Sequence, residues 1–236
     1  MIIKHNKSII PSLDVDTLER AREIVEETCS IEGIGAYKVG FELAIPFGLT
    51  KVVETIKDIT NIPIIYDHQK SATDIPDTGI KFVKACKKTG TSAVIFFPQA
   101  GPATELEWLK AAKAENMPVI VGGEMTHPQY LQKDGGFIMD DAPKRMYEIA
   151  AKNGVVDFVV PGNKPERIVF YREFLESLAI RPVLYSPGLI SQGGKISESA
   201  KAAGHKWHAI IGRAIYDAKD IKEETKAICK ALVQVR

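Results

Sequence analysis

Short apolar runs alternate with longer amphipathic segments along almost the whole chain. The apolar runs predict strands at 8–13, 36–40, 62–66, 93–97, 118–122, 157–160, 182–186 and 209–212. Between them, apolar positions with helical period predict helices at about 17–29, 49–59, 75–88, 104–115, 142–153, 165–178, 197–203 and 220–233. Strands that are separated by helices indicate βαβ units and a parallel sheet, and the continuous apolar character of the strands indicates that both faces are buried.

Eight strand–helix units predict an α/β fold, a (β/α)₈ TIM barrel, in a single domain that spans residues 1–236. A doubly wound open sheet is the alternative. That fold commonly carries a GxGxxG loop after its first strand, whereas residues 13–17 are Leu-Asp-Val-Asp-Thr. No composition break or linker divides the chain.

Composition and charge narrow the classes of function. The 31 basic and 30 acidic residues give a net charge of +1, which does not indicate a nucleic-acid-binding protein. The N-terminus is too polar for a signal peptide, and no apolar run approaches the length of a membrane span. Three distant cysteines, Cys29, Cys86 and Cys229, have no metal-ligand spacing and are expected as buried or half-buried thiols. We therefore expect a cytoplasmic protein that binds neither nucleic acid nor membrane.

In a TIM barrel the chemistry lies at the C-terminal ends of the strands. Charged residues occur at the first three of these ends: Asp14, then Lys38, then Asp67 with Lys70 and Asp74. A lysine in a barrel strand needs a counter-charge if it is buried, and the alternating signs of this set could supply one. A solvated charged loop after strand three, a snorkelling Lys38 and a helix N-cap role for Asp14 remain open alternatives.

The last two strand ends indicate a phosphate site. Residues 186–194, Ser-Pro-Gly-Leu-Ile-Ser-Gln-Gly-Gly, follow strand seven, and Gly212-Arg213 ends strand eight. Glycines such as Gly193 let backbone N–H groups approach phosphate oxygens, Arg213 supplies a permanently charged forked donor, and Gln192 supplies a neutral one. Turn glycines beside a surface arginine are the alternative.

The remaining histidines and cysteines do not indicate a metal or thiol site. His68, His127, His205 and His208 are isolated in the sequence, and each is expected on a loop or a helix surface. The cysteines lie in helical segments away from the predicted mouth of the barrel. These residues therefore predict neither a metal site nor a thiol nucleophile.

The ordered motifs are Leu13-Asp14, Lys38-Val39-Gly40, residues 67–78 with Asp74-Ile75-Pro76, Met125-Thr126-His127-Pro128, residues 160–167, Pro187-Gly188 with Gln192-Gly193-Gly194, and residues 212–216. Each piece is weak alone, but the set, with every piece at a barrel loop, resembles the orotidine 5′-phosphate decarboxylase family over almost the whole chain.

The resemblance implies a carboxy-lyase that converts orotidine 5′-monophosphate to UMP in pyrimidine biosynthesis without a cofactor. Lys70 would donate a proton to C6 of the pyrimidine, and Asp67 and Asp74 would crowd the departing carboxylate. The family further implies that Asp14 and Lys38 contact the ribose and that Thr126, where the family usually has serine, contacts the pyrimidine. Gln192, Gly212 and Arg213 would bind the phosphate, and Pro187 and Gly193 lie in the same loop as Gln192. Asp74, Ile75 and Thr78 would reach the neighbouring site of a homodimer.

One departure from the family pattern concerns spacing. The family has Asp-x-Lys-x-x-Asp-Ile-Pro, whereas Lys70 follows Asp67 by three residues and Asp74 follows Lys70 by four. In a continued strand Asp67 and Lys70 would point to opposite faces, so we expect a bulge or the end of the strand there.

Two other functions remain open. A magnesium-dependent enzyme of the same suprafamily, such as 3-keto-L-gulonate 6-phosphate decarboxylase or hexulose-phosphate synthase, usually has a glutamate at strand two, where this chain has Lys38. A non-catalytic barrel that binds UMP or a similar phosphate ligand is the second alternative.

Overall fold

The computed structural model describes residues 1–68 and 71–233. Eight strands form one parallel sheet: β1 Lys7–Pro11, β2 Tyr37–Val39, β3 Ile64–Tyr66, β4 Ala93–Phe96, β5 Val119–Gly122, β6 Asp157–Val159, β7 Val183–Ser186 and β8 Trp207–Ile211. Neighbouring strands pair in the order β1-β8-β7-β6-β5-β4-β3-β2. Parallel bridges from Ile9 to Ile34 and from Ser12 to Lys38 join β1 to the β2 side. The predicted TIM barrel is confirmed.

Helices cover the outside of the barrel. They are α1 Leu18–Thr28, α2 Phe41–Phe47, α3 Leu49–Lys57, α4 Gly79–Lys88, α5 Pro102–Ala114, α6 Ala142–Lys152, α7 Pro165–Ser177, α8 Ile196–Ala203, α9 Arg213–Tyr216 and α10 Ile221–Val233, with 3₁₀ turns at Pro76–Thr78 and Gln132–Asp134. The short helices α2 and α9 were not predicted. α2 contains Pro46 and buries only Leu43, so it lacks the apolar period by which a helix is identified.

Side chains on the two faces of the strands form two apolar layers. Inward-facing residues such as Ile10, Ile65, Ile95 and Tyr185 fill the barrel, and a larger layer packs the outward faces against the helices. This alternation follows from the two-residue period of a strand. It also directs Lys38, between the outward-facing Tyr37 and Val39, into the barrel.

His208 corrects one expectation. It was expected on a loop or helix surface, but β8 begins at Trp207, and His208 is 1% exposed inside the barrel. Its Nδ1 lies 2.8 Å from Ser8 Oγ. The polar stretch before Trp207 concealed the start of the strand.

The cysteines agree with their prediction. Cys86 and Cys229 are buried, Cys29 is half-buried, and all three are free thiols. Among residues 1–68 and 71–233, no helix combines the length and apolar character needed to cross a membrane.

Candidate active site

A cavity of about 250 Å³ lies at the C-terminal ends of the strands. Eight of the predicted site residues line it: Asp14, Lys38, Asp67, Thr126, Pro187, Gln192, Gly212 and Arg213. Its floor is apolar, made by inward-facing Ile95, Phe97, Val159 and Ile210. A flat apolar ligand group could therefore lie over the barrel core, with polar groups around its edge.

Lys38 joins two carboxylates at one side of the cavity. Its Nζ lies 3.0 Å from Asp14 Oδ1 and 3.4 Å from Asp67 Oδ2, and its side chain is 6% exposed. Burial alone would lower the pKa of Lys38, but the negative charges of Asp67 and Asp14 outweigh it and raise the pKa. The ammonium group therefore stays charged. Because it is buried between two carboxylates, Lys38 is not a snorkelling lysine.

Asp14 is held by the end of β1 and does not cap a helix. Ser12 Oγ donates to Asp14 Oδ2 at 2.6 Å, while Thr17 is the N-cap of α1 and accepts a hydrogen bond from Arg20 N–H at 3.2 Å. With Ser12 and Lys38 bound to it, the Asp14 carboxylate has a fixed orientation at the cavity wall.

The chain leaves β3 directly before Asp67. The Asp67 N–H still donates to Val39 O at 2.8 Å, so the carboxylate follows Ile65 into the barrel. Tyr66 pairs with Val94, and Phe97 N–H donates to Ser71 O at 2.8 Å. Between these two contacts the β4 segment contains three residue steps, from 94 to 97. The segment that continues from β3 through Asp67 contains five, from 66 to 71. The pairing of β3 with β4 is therefore out of regular register by two residues beyond Tyr66, and Lys70 lies outside the described residues.

The three residues expected at a neighbouring site lie apart from this cavity. Asp74 is exposed, Ile75 is 59% exposed and Thr78 is half-buried, and none of them lines the cavity. Asp74 Oδ1 accepts a hydrogen bond from Ile75 N–H at 2.7 Å. The Asp74 and Ile75 side chains are exposed, whereas Thr78 Oγ1 donates to Ile75 O at 2.8 Å. Because none of the three lines the cavity, they cannot act there in their own subunit in this arrangement.

The opposite side of the cavity is formed by the loop after β7, residues 187–195, and by the start of α9. Gly188 has φ +90°, and a Cβ there would lie 2.7 Å from Thr126 Cγ2, so only glycine allows this loop to approach Thr126. Gly193 also has φ +88° and lies beside Gln192 in the turn of the loop. Within the described residues no carboxylate lies in ion-pairing distance of the exposed Arg213, whose charge is available to an anion.

Thr126 is positioned by contacts from the start of α7. Asn163 Nδ2 donates to Thr126 O at 3.0 Å, and Lys164 Nζ donates to Met125 O at 3.2 Å. Lys164 also pairs with the buried Glu124 at 3.0 Å, as does Arg167 at 2.7 Å. Burial raises the pKa of Glu124, but its hydrogen bonds from Tyr171, Arg167 and Lys164 outweigh this and lower it, so the carboxylate is ionised.

The structure adds site residues that the sequence interpretation missed. Ser12, Met125, Leu189, Ser191 and Tyr216 also line the cavity. Ser12 could have been found, because alternation along β1 places it on the same face as Ser8 and Ile10. Tyr216 could not, since it reaches the cavity only through the short helix α9.

No metal centre is visible in the part of the chain that the structure describes. In residues 1–68 and 71–233, no group of three or more His, Cys, Asp or Glu side chains is arranged to hold a metal ion.

The chain is similar to proteins of one known family. The family model described as orotidine 5′-phosphate decarboxylase / HUMPS family matches residues 7–228. The orotidine 5′-phosphate decarboxylase of Methanocaldococcus jannaschii is 34% identical over 91% of this chain and 93% of its own, and that of Methanosarcina mazei is 30% identical over 98% and 97%.

Solved structures agree with the sequence matches. The crystal structure of the M. jannaschii orotidine 5′-monophosphate decarboxylase with the inhibitor BMP has a TM-score of 0.83 at 31% identity, covering 97% of this chain and 99% of that one. The Pyrococcus horikoshii enzyme gives 0.79 at 28% identity, covering 95% and 99%. A family model that matches nearly the whole chain and a shared barrel lead to one conclusion: the chain belongs to the orotidine 5′-phosphate decarboxylase / HUMPS family.

Proposed function

We propose that this protein decarboxylates orotidine 5′-monophosphate to UMP in pyrimidine biosynthesis, without a metal or organic cofactor. The observation that carries the proposal is the buried Lys38 ammonium between Asp14 and Asp67, across an apolar floor from Gln192 and Arg213. A nucleotide has a phosphate, a sugar and a flat base, and the cavity offers a matching surface for each.

The phosphate would lie between Arg213, Gln192 and the backbone of Gly193 and Gly212. Arg213 would bind it with forked, charge-assisted hydrogen bonds. The ribose would contact Asp14 and Lys38, and the base would lie on the apolar floor with its edge at Thr126. Pro187 and the glycine-containing loop that follows it could close over the phosphate and exclude water.

The chemistry would occur at Asp67. Its carboxylate would face the carboxylate on C6 of the pyrimidine, and this like-charge contact is relieved when CO₂ leaves. The C6–carboxylate bond breaks, its electron pair remains on C6, and Lys70 would supply the proton that makes UMP. Binding of the remote phosphate would offset the free energy of this crowding. The role of Lys70 rests on the family resemblance.

We further propose a homodimer of single-domain barrels. Support comes from the exposed Asp74 and Ile75 and the half-buried Thr78, which lie outside the cavity at the active-site end although the family pattern makes them functional. In a two-fold dimer each subunit would give these residues to the site of the other.

The metal-dependent alternative fits the geometry less well. Lys38 Nζ occupies the position between Asp14 and Asp67 where a divalent cation would need to bind, and its positive charge would repel such a cation. A barrel that only binds ligand would gain nothing from Asp67 facing a bound anion. Both alternatives remain distinguishable by assay.

The assay follows the loss of orotidine 5′-monophosphate by absorbance, with UMP identified as the product. We expect turnover that is unchanged by EDTA. Turnover abolished by EDTA would support the metal-dependent alternative, and tight UMP binding without turnover would support the ligand-binding one. A Lys70→Ala protein that still decarboxylated normally would refute the proton-donor assignment.

The Arg213→Ala variant tests the phosphate contact. Loss of a hydrogen bond between charged groups should lower kcat/KM roughly 10- to 100-fold. Arg22→Ala is the matched control, because Arg22 lies on α1 and pairs with the exposed carboxylates of Glu26 and Asp58. Equal kcat/KM for Arg213→Ala and the wild type would contradict the phosphate assignment.

A further inference from the structure

One aromatic cluster lies beneath both ends of the segment 67–75. The cluster comprises Tyr66, His68, Phe82, Phe96 and Trp108. The Phe82 ring stacks on Tyr66 with centroids 6.4 Å apart, and it lies 5.6 Å from His68 and 5.1 Å from Trp108. Phe82 on α4 therefore connects residues beside Asp67 with a residue of α5.

The first end of the segment is fixed to β3. Tyr66 OH and His68 Nδ1 are 2.5 Å apart, on the two sides of Asp67 in sequence. Burial raises the pKa of Tyr66 to about 12, so the hydroxyl keeps its proton, and the hydroxyl and the imidazole share one hydrogen bond. This bond ties the residue after Asp67 to the strand that precedes it.

The second end of the segment is fixed to α5. Thr104 Oγ1 donates to Asp74 O at 2.8 Å, and Trp108 Nε1 donates to Ile75 O at 3.1 Å. Both donor side chains are 4% exposed. Gly79 permits the close approach, because a Cβ there would lie 2.7 Å from the Trp108 ring.

At the second end of the segment the backbone and the side chains point in different directions. The Asp74 and Ile75 carbonyls point inward to buried donors, while the two side chains are exposed. Breaking either hydrogen bond would leave a buried donor, the Thr104 hydroxyl or Trp108 Nε1–H, unpaired away from water, so these bonds fix the backbone more firmly than contacts between exposed groups do. The backbone at Asp74 and Ile75 is thus positioned from α5, and Asp74 Oδ1 accepts a hydrogen bond from Ile75 N–H in that backbone.

We infer that Thr104 and Trp108 are positioning residues for the reaction, which fix Asp74 and Ile75 for the active site of the partner subunit. The inference rests on the proposed function and its shared dimeric site. We call the two hydrogen bonds from Thr104 and Trp108 the clamp. The longer spacing between Asp67 and Asp74 makes it necessary, because additional loop residues add conformations that must be restricted. The clamp acts through the backbone and touches no substrate.

The test removes each donor while retaining an aromatic ring at position 108 and the side-chain shape at position 104. Trp108→Phe deletes Nε1–H and retains an aromatic ring beside Phe82, and Thr104→Val deletes the hydroxyl. Matched controls are Trp207→Phe, which deletes the buried Nε1–H bond to Ser186 Oγ, and Thr55→Val, which deletes a hydroxyl bond to Lys51 O within α3. Thr104→Ser retains the donor and is the conservative rescue.

Decarboxylation and hydrogen exchange are then measured on every variant. We expect kcat to fall about 10- to 100-fold in the Trp108→Phe/Thr104→Val double variant, since displacement of a catalytic group by about 1 Å has effects of this size. KM should change less than about twofold, because the predicted phosphate and base contacts lie on other loops. Thr104→Ser should retain near wild-type kcat, and amides of residues 71–78 should exchange faster only in the clamp variants.

Three results would overturn the inference. They are an unchanged kcat in the double variant, an equal fall in kcat for the controls, or no difference between Thr104→Ser and Thr104→Val. Hydrogen exchange does not depend on turnover. A wild-type protein that fails to decarboxylate, yet shows clamp-dependent exchange at residues 71–78, would therefore reject the proposed function and retain the clamp.

Discussion

Two basic side chains lie inside the barrel: Lys38 is held charged, and His208 is held neutral. Lys38 has two carboxylates within 3.4 Å and stays charged. His208 has a hydroxyl and an aromatic ring as neighbours, Ser8 and Tyr185. Burial lowers the pKa of His208 to about 3, and the nearby basic residues His5 and Lys206 contribute in the same direction. The difference follows from the partners rather than from burial, which opposes the charged form of both.

His208 should make the protein sensitive to acid. Its pKa in the unfolded chain is about 6.5, so below that pH the unfolded state binds a proton that the folded state does not bind. The free energy of unfolding should therefore fall as pH decreases from about 6.5 towards 3, by up to about 1.4 kcal/mol per pH unit from this group. Urea unfolding of the wild type and of His208→Gln between pH 7 and pH 4 measures this difference.

The control for that experiment is His205→Gln, because His205 is exposed. Its stability should decrease with acid in parallel with the wild type, whereas His208→Gln should have a shallower dependence. Parallel curves for His208→Gln and the wild type would show that His208 is not held neutral.

At the scale of elements, α5 carries an unusual buried acid beside the clamp. Glu105 is 2% exposed, and its Oε1 has no hydrogen-bond partner within the described parts of the chain. Burial raises the pKa of Glu105 to about 8, so the carboxyl is largely protonated at neutral pH. α5 therefore holds Asp74 and Ile75 through Thr104 and Trp108 while it keeps an uncharged acid in its packed face.

The Glu105→Gln variant should be more stable than the wild type at pH 7. The folded pKa lies above the unfolded value near 4.5, so wild-type stability is lost as pH rises from about 4.5 to 8, and glutamine has no such loss. We expect a gain of roughly 2–4 kcal/mol at pH 7 and near equality at pH 4. Thermal or urea unfolding at both pH values measures it, with the exposed Glu107→Gln as control. A gain that is equal at both pH values would contradict the raised pKa.

At the scale of the whole molecule, the proposed homodimer with shared sites predicts the activity of mixed dimers. Lys38→Met and Asp74→Ala should each abolish activity, the first in its own subunit and the second in the partner. A heterodimer of the two has one site with both changes and one site with neither. Random exchange of equal amounts should therefore restore about a quarter of the wild-type sites.

Mixed dimers are prepared by joint dilution from denaturant, and activity is compared with each variant refolded alone. Lys38→Met mixed with Asp67→Ala is the matched control, because both residues belong to the same subunit's cavity, and no heterodimer site would be intact. Recovery in the control, or its absence in the Asp74→Ala mixture, would contradict a site shared between subunits.

The sequence by itself determined the barrel and most of the cavity. Eight alternating strands and helices have few stable arrangements, and the C-terminal strand ends of a barrel converge on one mouth. Asp14, Lys38, Thr126 and Arg213 were therefore placed together before any contact was known. Strand ends were misplaced by a few residues where polar side chains face the barrel interior, as at His208.

Only the tertiary structure decided which residues stabilise the segment after β3. Its aromatic cluster joins β3, β4, α4 and α5, and Thr104 donates to a carbonyl 30 residues earlier in the chain. Such pairs leave no periodic signal, because hydrogen bonds between elements depend on how the elements pack. The spacing of Asp67, Lys70 and Asp74 showed that the chain must depart from the strand there. The folded chain showed that Tyr66, Thr104 and Trp108 hold the two ends of that departure in place.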